Sequence, residues 1–336
     1  MDIKSYIIEN EMRFYDELNS LIRIPSISAK PEHKADMQRC AEQWCKLLLE
    51  AGVEHAEIML SNGNPIVFAE KKVTNATKTV LVYAHYDVMP AEPIEAWKSN
   101  PFELNIDDER IWARGADDDK GQSFIQVKAF EFLVKYNLLK CNVKFIFEGE
   151  EEIGSPSLED FCKQHTDLLK SNIILVSDTS MLAADIPSLT TGLRGLAYWQ
   201  IEAKGPNRDL HSGHFGGAVA NPINELCKLL AQIVDKNGRV TIPHFYDDVL
   251  PIPKKERKMI TQIPFDEKRY MQAIGVEKLQ GEKGFSTLER NSCRPSFDIC
   301  GIWGGYTGEG SKTVLPSVAY AKVSCRLVAN QNHEHI

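Results

Sequence analysis

One pair of residues in this sequence could bind a metal ion: His85 and Asp87, which follow the short apolar run 81–84. The run is rich in β-branched and aromatic residues and is predicted to be a buried strand. Since side chains two apart in a strand point to the same side, the imidazole and the carboxylate face the same way. A carboxylate beside a histidine fixes its tautomer, as a metal ligand requires. The alternative is a buried histidine with a hydrogen-bonded neighbour, and the pair alone does not decide.

Three further acidic groups follow predicted strands or lie in the loops after them: the run 117–119, the run 150–152, and Asp178. Because ligands of open α/β sheets bind beyond the carboxyl ends of strands, these groups would meet at one edge. There the carboxylates would raise one another's pKa, a cost that a pair of divalent cations removes. Mixed imidazole and carboxylate ligands suit zinc. A single acidic run is more simply a solvated cluster at a helix N-terminus, so the complete set carries the metal hypothesis.

The elements that must position these groups alternate along the first 186 residues. Apolar spacing predicts helices over 3–23, 35–51, 120–136 and 156–170. Strands are predicted near 55–60, 65–71, 79–84, 143–147 and 173–177. A hairpin is expected around 102–106 and 110–114, with an Asp-Asp-Glu turn at 107–109. This alternation predicts an α/β fold with a mostly parallel sheet sandwiched by helices, and we assign 1–186 to one metal-binding catalytic domain.

The pattern changes after about residue 186, and we predict a second, α+β domain over 187–336. Its expected elements are a strand over 196–203, a helix over 218–236, short helices and loops over 239–296, and strands over 297–303 and 314–328. The loop 209–217 lies between the first strand and the helix and contains His211. From the residues alone, His211 is more simply a loop or capping residue than a catalytic one.

Composition limits the classes of partner. The chain has 336 residues, 43% of them hydrophobic and 26% charged, which is ordinary for a globular protein of two domains. The net charge is −8 with no basic block, so we expect no nucleic-acid or membrane partner. The N-terminus lacks a signal-peptide pattern, and the eight cysteines are scattered without a C-x-x-C pair. These features indicate a reducing compartment, and we expect a cytoplasmic protein.

Six motifs are spread over nearly the whole chain. They are Leu-Ile-Arg-Ile-Pro-Ser at 21–26, the His85/Asp87 pair, Arg-Gly-Ala-Asp-Asp-Asp-Lys-Gly at 114–121, Glu-Glu-Ile-Gly-Ser at 151–155, Ser-Asp at 177–178 and His-Ser-Gly at 211–213. Together they resemble the dinuclear zinc peptidases of the M20 family. The segments 191–195 and 211–217 are most similar to its carnosinase and dipeptidase branch. The resemblance implies a catalytic domain of the zinc-peptidase type and a second lid or dimerisation domain.

The resemblance also implies ligands for two divalent metal ions, zinc most simply and manganese as the alternative. His85 and Asp178 would bind one ion, Glu152 would bind the other, and Asp118 would bridge the two. The peptide between Asp118 and Asp119 is expected to be cis. Carried over from the family, this set describes a dinuclear centre with a hydroxide between the metals.

Catalytic roles follow from the same resemblance. Glu151 would be the general base that takes a proton from the attacking water, and Asp87 would orient the metal-binding histidine. His211 would stabilise the developing oxyanion, reaching the site of the partner subunit in a homodimer formed through the lid domain. Thr313 and Arg326 match positions that bind the carboxylate end of the substrate, although a strand arginine is more often a surface residue.

One family feature is not found. The family's second metal has a further histidine, donated by a C-terminal segment that returns to the catalytic domain. The given chain stops at Ile336, and His333 and His335 lie too early to be that ligand. We therefore expect this chain to lack the C-terminal segment, to hold one metal better than the other, and to be weakly active or inactive.

The favoured function is metal-dependent hydrolysis of the peptide bond in dipeptides or short peptides, by a metal-bridged hydroxide with Glu151 as base. The enzyme would be a metallopeptidase of the dipeptidase type. An N-acyl amino acid deacylase, which removes acetyl or succinyl groups, would use the same centre and is the alternative activity. The alternative from another class is a catalytically impaired fragment that acts only as a binding or dimerisation module.

Overall fold

The structure is a computed structural model that describes residues 2–107, 110–183 and 186–336. The chain divides into two compact units, Met1–Pro187 and Ser188–Ile336. The catalytic and lid roles assigned to the two domains remain predictions. Asp108 and Glu109, the centre of the predicted acidic turn, lie outside the described residues.

The helices of the first unit follow the apolar spacing closely. They are α1 (Ile3–Ile22), α2 (Lys34–Ala51), α3 (Lys120–Lys135), α4 (Leu158–Gln164) and α5 (Thr166–Leu169). The Asp2 side chain caps α1 by accepting the Ser5 N–H, and α2 ends at Gly52 with a φ of 104°. The single helix predicted over 156–170 is wrong, because His165 leaves the helical conformation and separates α4 from α5.

In its described residues, the first unit has the strands β1 (His55–Met59), β2 (Ile66–Lys71), β3 (Thr79–His85), β4 (Asn105–Asp107), β5 (Arg110–Trp112), β6 (Asn142–Glu148) and β7 (Ile173–Val176). β4 and β5 pair as the expected hairpin. The other five form one sheet in the order β1-β2-β6-β3-β7. The predicted α/β fold, with helices flanking a sheet, is confirmed.

The sheet is mixed rather than mostly parallel, which corrects one part of that prediction. β3 is parallel to both β6 and β7, whereas β1 with β2 and β2 with β6 are antiparallel. The connection between β1 and β2 is too short to contain a crossover helix, so this pair must be antiparallel. The parallel strands position the candidate site, because the carboxyl ends of β3, β6 and β7 lie at one edge of the sheet.

Both faces of the sheet are covered. Phe145 and Phe147 of β6 lie in one buried cluster with Trp44 of α2 and Phe124 of α3. Ile146, which lies between these two phenylalanines, points to the opposite face and packs with Phe161 and Leu169 from α4 and α5. Strands buried on both sides are nearly continuous apolar runs, as the sequence of β6 is.

The second unit contains β8 (Gly195–Lys204), β9 (Leu210–His211), α6 (Ser212–Phe215), α7 (Pro222–Ile233), α8 (Lys254–Ile260), α9 (Glu267–Ile274), α10 (Thr287–Ser292), β10 (Ser296–Gly304), β11 (Val314–Leu315) and β12 (Val318–Leu327). Antiparallel pairing gives a three-stranded sheet, β10-β12-β8, and β9 pairs with β11. The strand predicted over 314–328 is divided in two, since Pro316 in the gap has no N–H to donate. The short helices predicted over 239–296 are confirmed.

The three-stranded sheet has one covered face and one open face. On the covered face, Leu226 and Leu230 of α7 lie in one buried cluster with Ala321 and Val323 of β12. The intervening β12 residues and the β8 residues paired with them, including Tyr198, form the open face. No helix in the described part of the chain is long and apolar enough to span a membrane.

Candidate metal centre

His85 lies at the centre of the candidate site, at the carboxyl edge of the parallel strands. It is the last residue of β3 and is completely buried. Its Nδ1 atom lies 3.1 Å from the main-chain oxygen of Asp87 and 3.3 Å from Asp87 Oδ1. Its Nε2 atom faces the other way, 3.0 Å from Asp118 Oδ1. A proton held on Nδ1 by Asp87 leaves the Nε2 lone pair available to a cation.

Three of the predicted ligand residues come together around this nitrogen. One ligand atom each from His85, Asp118 and Asp178 lie within 4.8 Å of one another. Asp178 Oδ2 is 3.8 Å from His85 Nε2, and Glu151 Oε2 is 3.9 Å from the same atom. The residues come from the end of β3, the loop before α3, and the loops after β6 and β7. The edge of the sheet thus gathers the groups that the sequence analysis expected there.

Asp87 is buried beneath this cluster and connects two parts of it. Besides contacting His85, its Oδ1 accepts the Glu151 N–H at 3.2 Å and its Oδ2 accepts the Glu152 N–H at 3.1 Å. One carboxylate therefore holds the imidazole and the segment that carries both glutamates. The contact of Asp87 with the Glu151–Glu152 segment could not be predicted from the sequence, because it depends on how the loop after β6 turns.

Glu152 follows Glu151 in the turn after β6. Its Oε1 accepts the Met89 N–H at 3.0 Å. Burial, followed by the charge of Asp118, raises the pKa of Glu152 to about 7, against the opposing effect of His85. Among the described residues, the group of mutually close ligand atoms contains Asp118 but not Glu152, so the binding of a second metal by Glu152 stays a prediction.

Asp119 belongs to the acidic run 117–119 that was expected at this edge, but the sequence analysis gave it no role of its own. It is 1% exposed, and its Oδ2 accepts the main-chain N–H of His85 at 3.2 Å. Its Oδ1 is buried with no hydrogen-bond partner among the described residues. Burial raises the pKa of Asp119 to about 7, and His85 partly opposes this. The Asp118–Asp119 peptide is cis, as the resemblance implied. In the sequence, the position of Asp119 next to Asp118 was the only indication of this role.

The electrostatics of the edge fit a divalent cation. Burial raises the pKa of both Glu151 and Asp178, and neighbouring carboxylates raise it further. Burial alone would lower the pKa of His85, but the hydrogen bond and charge of Asp87 reverse this and raise it to about 10. A site with one imidazole and several desolvated carboxylates, including a buried oxygen without a partner, offers the hard and borderline ligands that zinc and manganese accept.

The remaining predicted site residues lie in the second unit. His211 Nε2 and Thr313 Oγ1 are 3.0 Å apart, because β9 and β11 pair through His211 and Val314. His211 Nδ1 accepts the Gly213 N–H at 3.0 Å. The imidazole is thus held between a hydroxyl and a main-chain amide. Arg326 is exposed on β12, which pairs with β8 and does not belong to the β9–β11 pair.

Comparisons with known proteins agree with this description of the fold and site. Residues 81–287 match Peptidase family M20/M25/M40. The Cys-Gly metallodipeptidase dug1 of Schizosaccharomyces pombe is 34% identical over 276 residues, which are 81% of this chain and 58% of that protein. The Beta-Ala-His dipeptidase of Rattus norvegicus is 36% identical over 267 residues, 79% of this chain and 54% of that protein. This chain therefore spans little more than half the length of either relative.

A solved structure gives the same result. The M20 family metallo-carboxypeptidase Sso-CP2 from Sulfolobus solfataricus has a TM-score of 0.83 and 36% sequence identity, and the match covers all of this chain and 73% of that one. The fold is that of a two-unit α/β protein with a candidate metal site in its first unit. The family match covers more than half of the chain, and the chain belongs to the peptidase family M20/M25/M40.

Proposed function

We propose that this protein is a metal-dependent dipeptidase that hydrolyses the single peptide bond of its substrate. The observation that carries the proposal is the convergence of His85, Asp118 and Asp178 within 4.8 Å, with Glu151 next to them. The names of the dug1 and Beta-Ala-His relatives, both dipeptidases, support the substrate class.

The described residues would hold two cations, zinc by preference. His85 and Asp178 would bind the first, Glu152 would bind the second, and Asp118 would lie between the two. When bound, such ions acidify a water molecule and polarise a carbonyl group. Asp87 would keep the imidazole in the tautomer that presents Nε2, since its oxygens lie 3.1 and 3.3 Å from Nδ1.

Glu151 would transfer the protons. Its main chain is fixed by Asp87, while its side chain is 39% exposed and can reach both water and substrate. Burial and the neighbouring carboxylates raise its pKa, which strengthens it as a base. The carboxylate would accept a proton from the attacking water and deliver it to the leaving amine. In the second unit, His211 would donate to the oxyanion, and Thr313 and Arg326 would bind the substrate carboxylate.

We further propose a cytoplasmic homodimer that associates through the second unit. The dimer proposal is supported by large side chains on the open sheet face, where Leu196 is 49% and Tyr198 50% exposed among polar neighbours such as Lys322 and Arg326. The compartment is supported by the eight cysteines, all free thiols in the structure.

The proposed activity is tested with the protein loaded with zinc or manganese. A panel of dipeptides is compared with N-acetyl and N-succinyl amino acids. Dipeptide turnover that a chelator abolishes and metal restores is the expected result. Turnover of the acyl amino acids alone would instead assign a deacylase. No turnover of either class by the metal-loaded protein would contradict an enzymatic role.

A further inference from the structure

Lys120 is a buried charged residue that the proposed mechanism does not use. It is the first residue of α3, follows Asp118 and Asp119 directly, and is completely buried. Its Nζ donates to the main-chain oxygens of Leu21 at 3.0 Å and Ile24 at 2.7 Å. A buried ammonium needs partners, and here two carbonyl groups accept from it, with the Cys40 thiol and the charge of Asp87 also close by.

The two carbonyl groups lie at the C-terminal end of α1, within the motif 21–26. Leu21 is in the last turn of α1, and Ile24 lies two residues beyond its end. Each carbonyl already accepts a main-chain N–H, from Ile24 and from Ser26, so the ammonium takes the second lone pair of each oxygen and is stabilised by the partial negative charge of the helix end. The contact therefore fixes the start of α3, and with it the preceding aspartates, against the end of α1.

The same motif also holds the segment after β3. Ser26 Oγ donates to the Tyr86 oxygen at 2.6 Å, and the Ser26 oxygen accepts the Val88 N–H at 2.9 Å. These two contacts enclose Asp87, the carboxylate that contacts His85. One short segment is thus bonded to both loops that bring ligands to the site, although none of its own side chains is a predicted ligand.

We propose that Lys120 is a positioning residue of the metal centre, which fixes Asp118 and Asp119 beside His85 by binding the carbonyl groups of Leu21 and Ile24. The inference rests on the proposed metal site. Its distinct content is that the lysine acts on metal affinity through the placement of the aspartates. A lysine that only stabilised the fold would lower stability without changing the affinity of the folded protein for metal.

Lys128 provides a matched control on the same helix. It is 7% exposed, and its Nζ lies 2.5 Å from Glu131 Oε2, with Glu17 as its second partner. Replacing either lysine with methionine keeps an unbranched side chain that is one atom shorter and removes a buried ammonium. Only the first replacement releases the loop that carries the aspartates.

The experiment compares wild type, Lys120→Met and Lys128→Met as the full chain. Zn²⁺ affinity is measured by competition with a chromogenic chelator, the ligand geometry by the visible spectrum of bound Co²⁺, and stability by the melting temperature. Both variants are expected to melt at lower temperature. Only Lys120→Met is expected to bind Zn²⁺ about 10- to 100-fold more weakly and to alter the Co²⁺ spectrum, the usual range for residues that orient ligands.

Lys120→Arg covers the case in which Lys120→Met does not fold. It keeps the charge but displaces the donors, and the proposal predicts a folded protein with weakened Zn²⁺ binding. Zn²⁺ affinity equal to that of wild type in a folded Lys120 variant, or an equal loss in Lys128→Met, would overturn the inference while leaving the metal site intact. Wild type that binds no Zn²⁺ would instead overturn the proposed function, and the inference with it.

Discussion

At the scale of single residues, the site depends on how one carboxylate is used twice. Asp87 contacts the Nδ1 side of His85 and also accepts the main-chain N–H groups of Glu151 and Glu152. The orientation of the imidazole and the position of the candidate base are therefore set by the same buried group. This explains how two loops that are distant in sequence keep a constant geometry at the sheet edge.

Glu151→Gln tests the assignment of the base. The amide keeps the size of the side chain but cannot accept a proton, so we expect turnover of dipeptides to fall by about 10²- to 10⁴-fold. Zn²⁺ affinity should change little, because the proposed ligands are retained. Steady-state kinetics and a parallel Zn²⁺ titration check both statements. A variant with wild-type turnover would remove Glu151 from the proton transfer.

At the scale of elements, the first turn of α3 contacts residues that lie next to two of the predicted ligands, Asp118 and Asp178. Ser123 Oγ donates to the Asp119 oxygen at 2.7 Å, and the Gln122 side chain accepts the Thr179 N–H, next to Asp178, at 3.2 Å. The start of this helix thus contacts two of the loops that carry predicted ligands. Gly121 lies at its centre and permits the close approach of the preceding loop.

Gly121→Ala tests how tightly this turn is packed. A β-carbon at Gly121 would lie 1.8 Å from the Ala116 oxygen, so the loop must move. We expect a loss of about 1–3 kcal/mol in unfolding free energy together with weaker Zn²⁺ binding. Gly192→Ala is the matched control, because its β-carbon would meet nothing within 4 Å. Equal effects in the two variants, measured by urea unfolding and metal titration, would contradict this account of the turn.

The contact between α1 and α3 predicts a pH dependence of stability away from the metal centre. Burial alone would raise the pKa of Glu131, but hydrogen bonds from Arg13, Lys128 and Tyr6 lower it to about 2 from an ordinary value of 4.5. Because the pKa is lower in the folded state, the stabilisation is complete above about pH 4.5 and is lost as the pH falls towards 2. The shift corresponds to roughly 3 kcal/mol at most.

Glu131→Gln removes this titration. Wild type should lose more unfolding free energy than the variant between pH 6 and pH 3, as measured by urea unfolding at a series of pH values. Other carboxylates titrate in both proteins, so the difference between the two curves isolates Glu131. Parallel curves would show that the carboxylate gains nothing from its partners in the folded state.

The elements were largely predictable from the sequence, and the reason is visible in particular segments. The apolar run of β3 and the helical spacing of α1 each predicted their element to within about two residues. The mixed sheet was not predictable in the same way, because strand direction depends on pairing between distant segments. The individual role of Asp119 within the run 117–119 was not predictable for a related reason: its burial beside His85 depends on the geometry of the loop rather than on residue type.

At the scale of the whole molecule, the open face of the β10-β12-β8 sheet is the feature with the largest consequence. Trp303 and Tyr320 stack on this face with ring centroids 5.2 Å apart, and Leu196 and Tyr198 extend the apolar surface. Large aromatic and aliphatic side chains on one exposed face are typical of association surfaces. The proposed homodimer would bury them.

Leu196→Glu tests this surface. The charge would be desolvated in a dimer but hydrated in a monomer, so we expect dissociation at concentrations where wild type is dimeric. Leu189→Glu is the control, since Leu189 is 86% exposed and lies outside the strands. Sedimentation velocity reports the association state of both variants. A dimer that survives the Leu196 substitution, or a wild type that is monomeric, would exclude association through this face.

The most direct test of the account is a calorimetric Zn²⁺ titration of the wild-type chain beside His85→Ala. The three converging ligands predict that wild type binds Zn²⁺ tightly, and that removing the imidazole weakens this binding by at least tenfold while the protein stays folded. That result would place the cation at the carboxyl edge of the parallel strands, where the proposed chemistry requires it. Identical titrations of the two proteins, or no binding by wild type, would contradict the central claim that this edge is a metal centre.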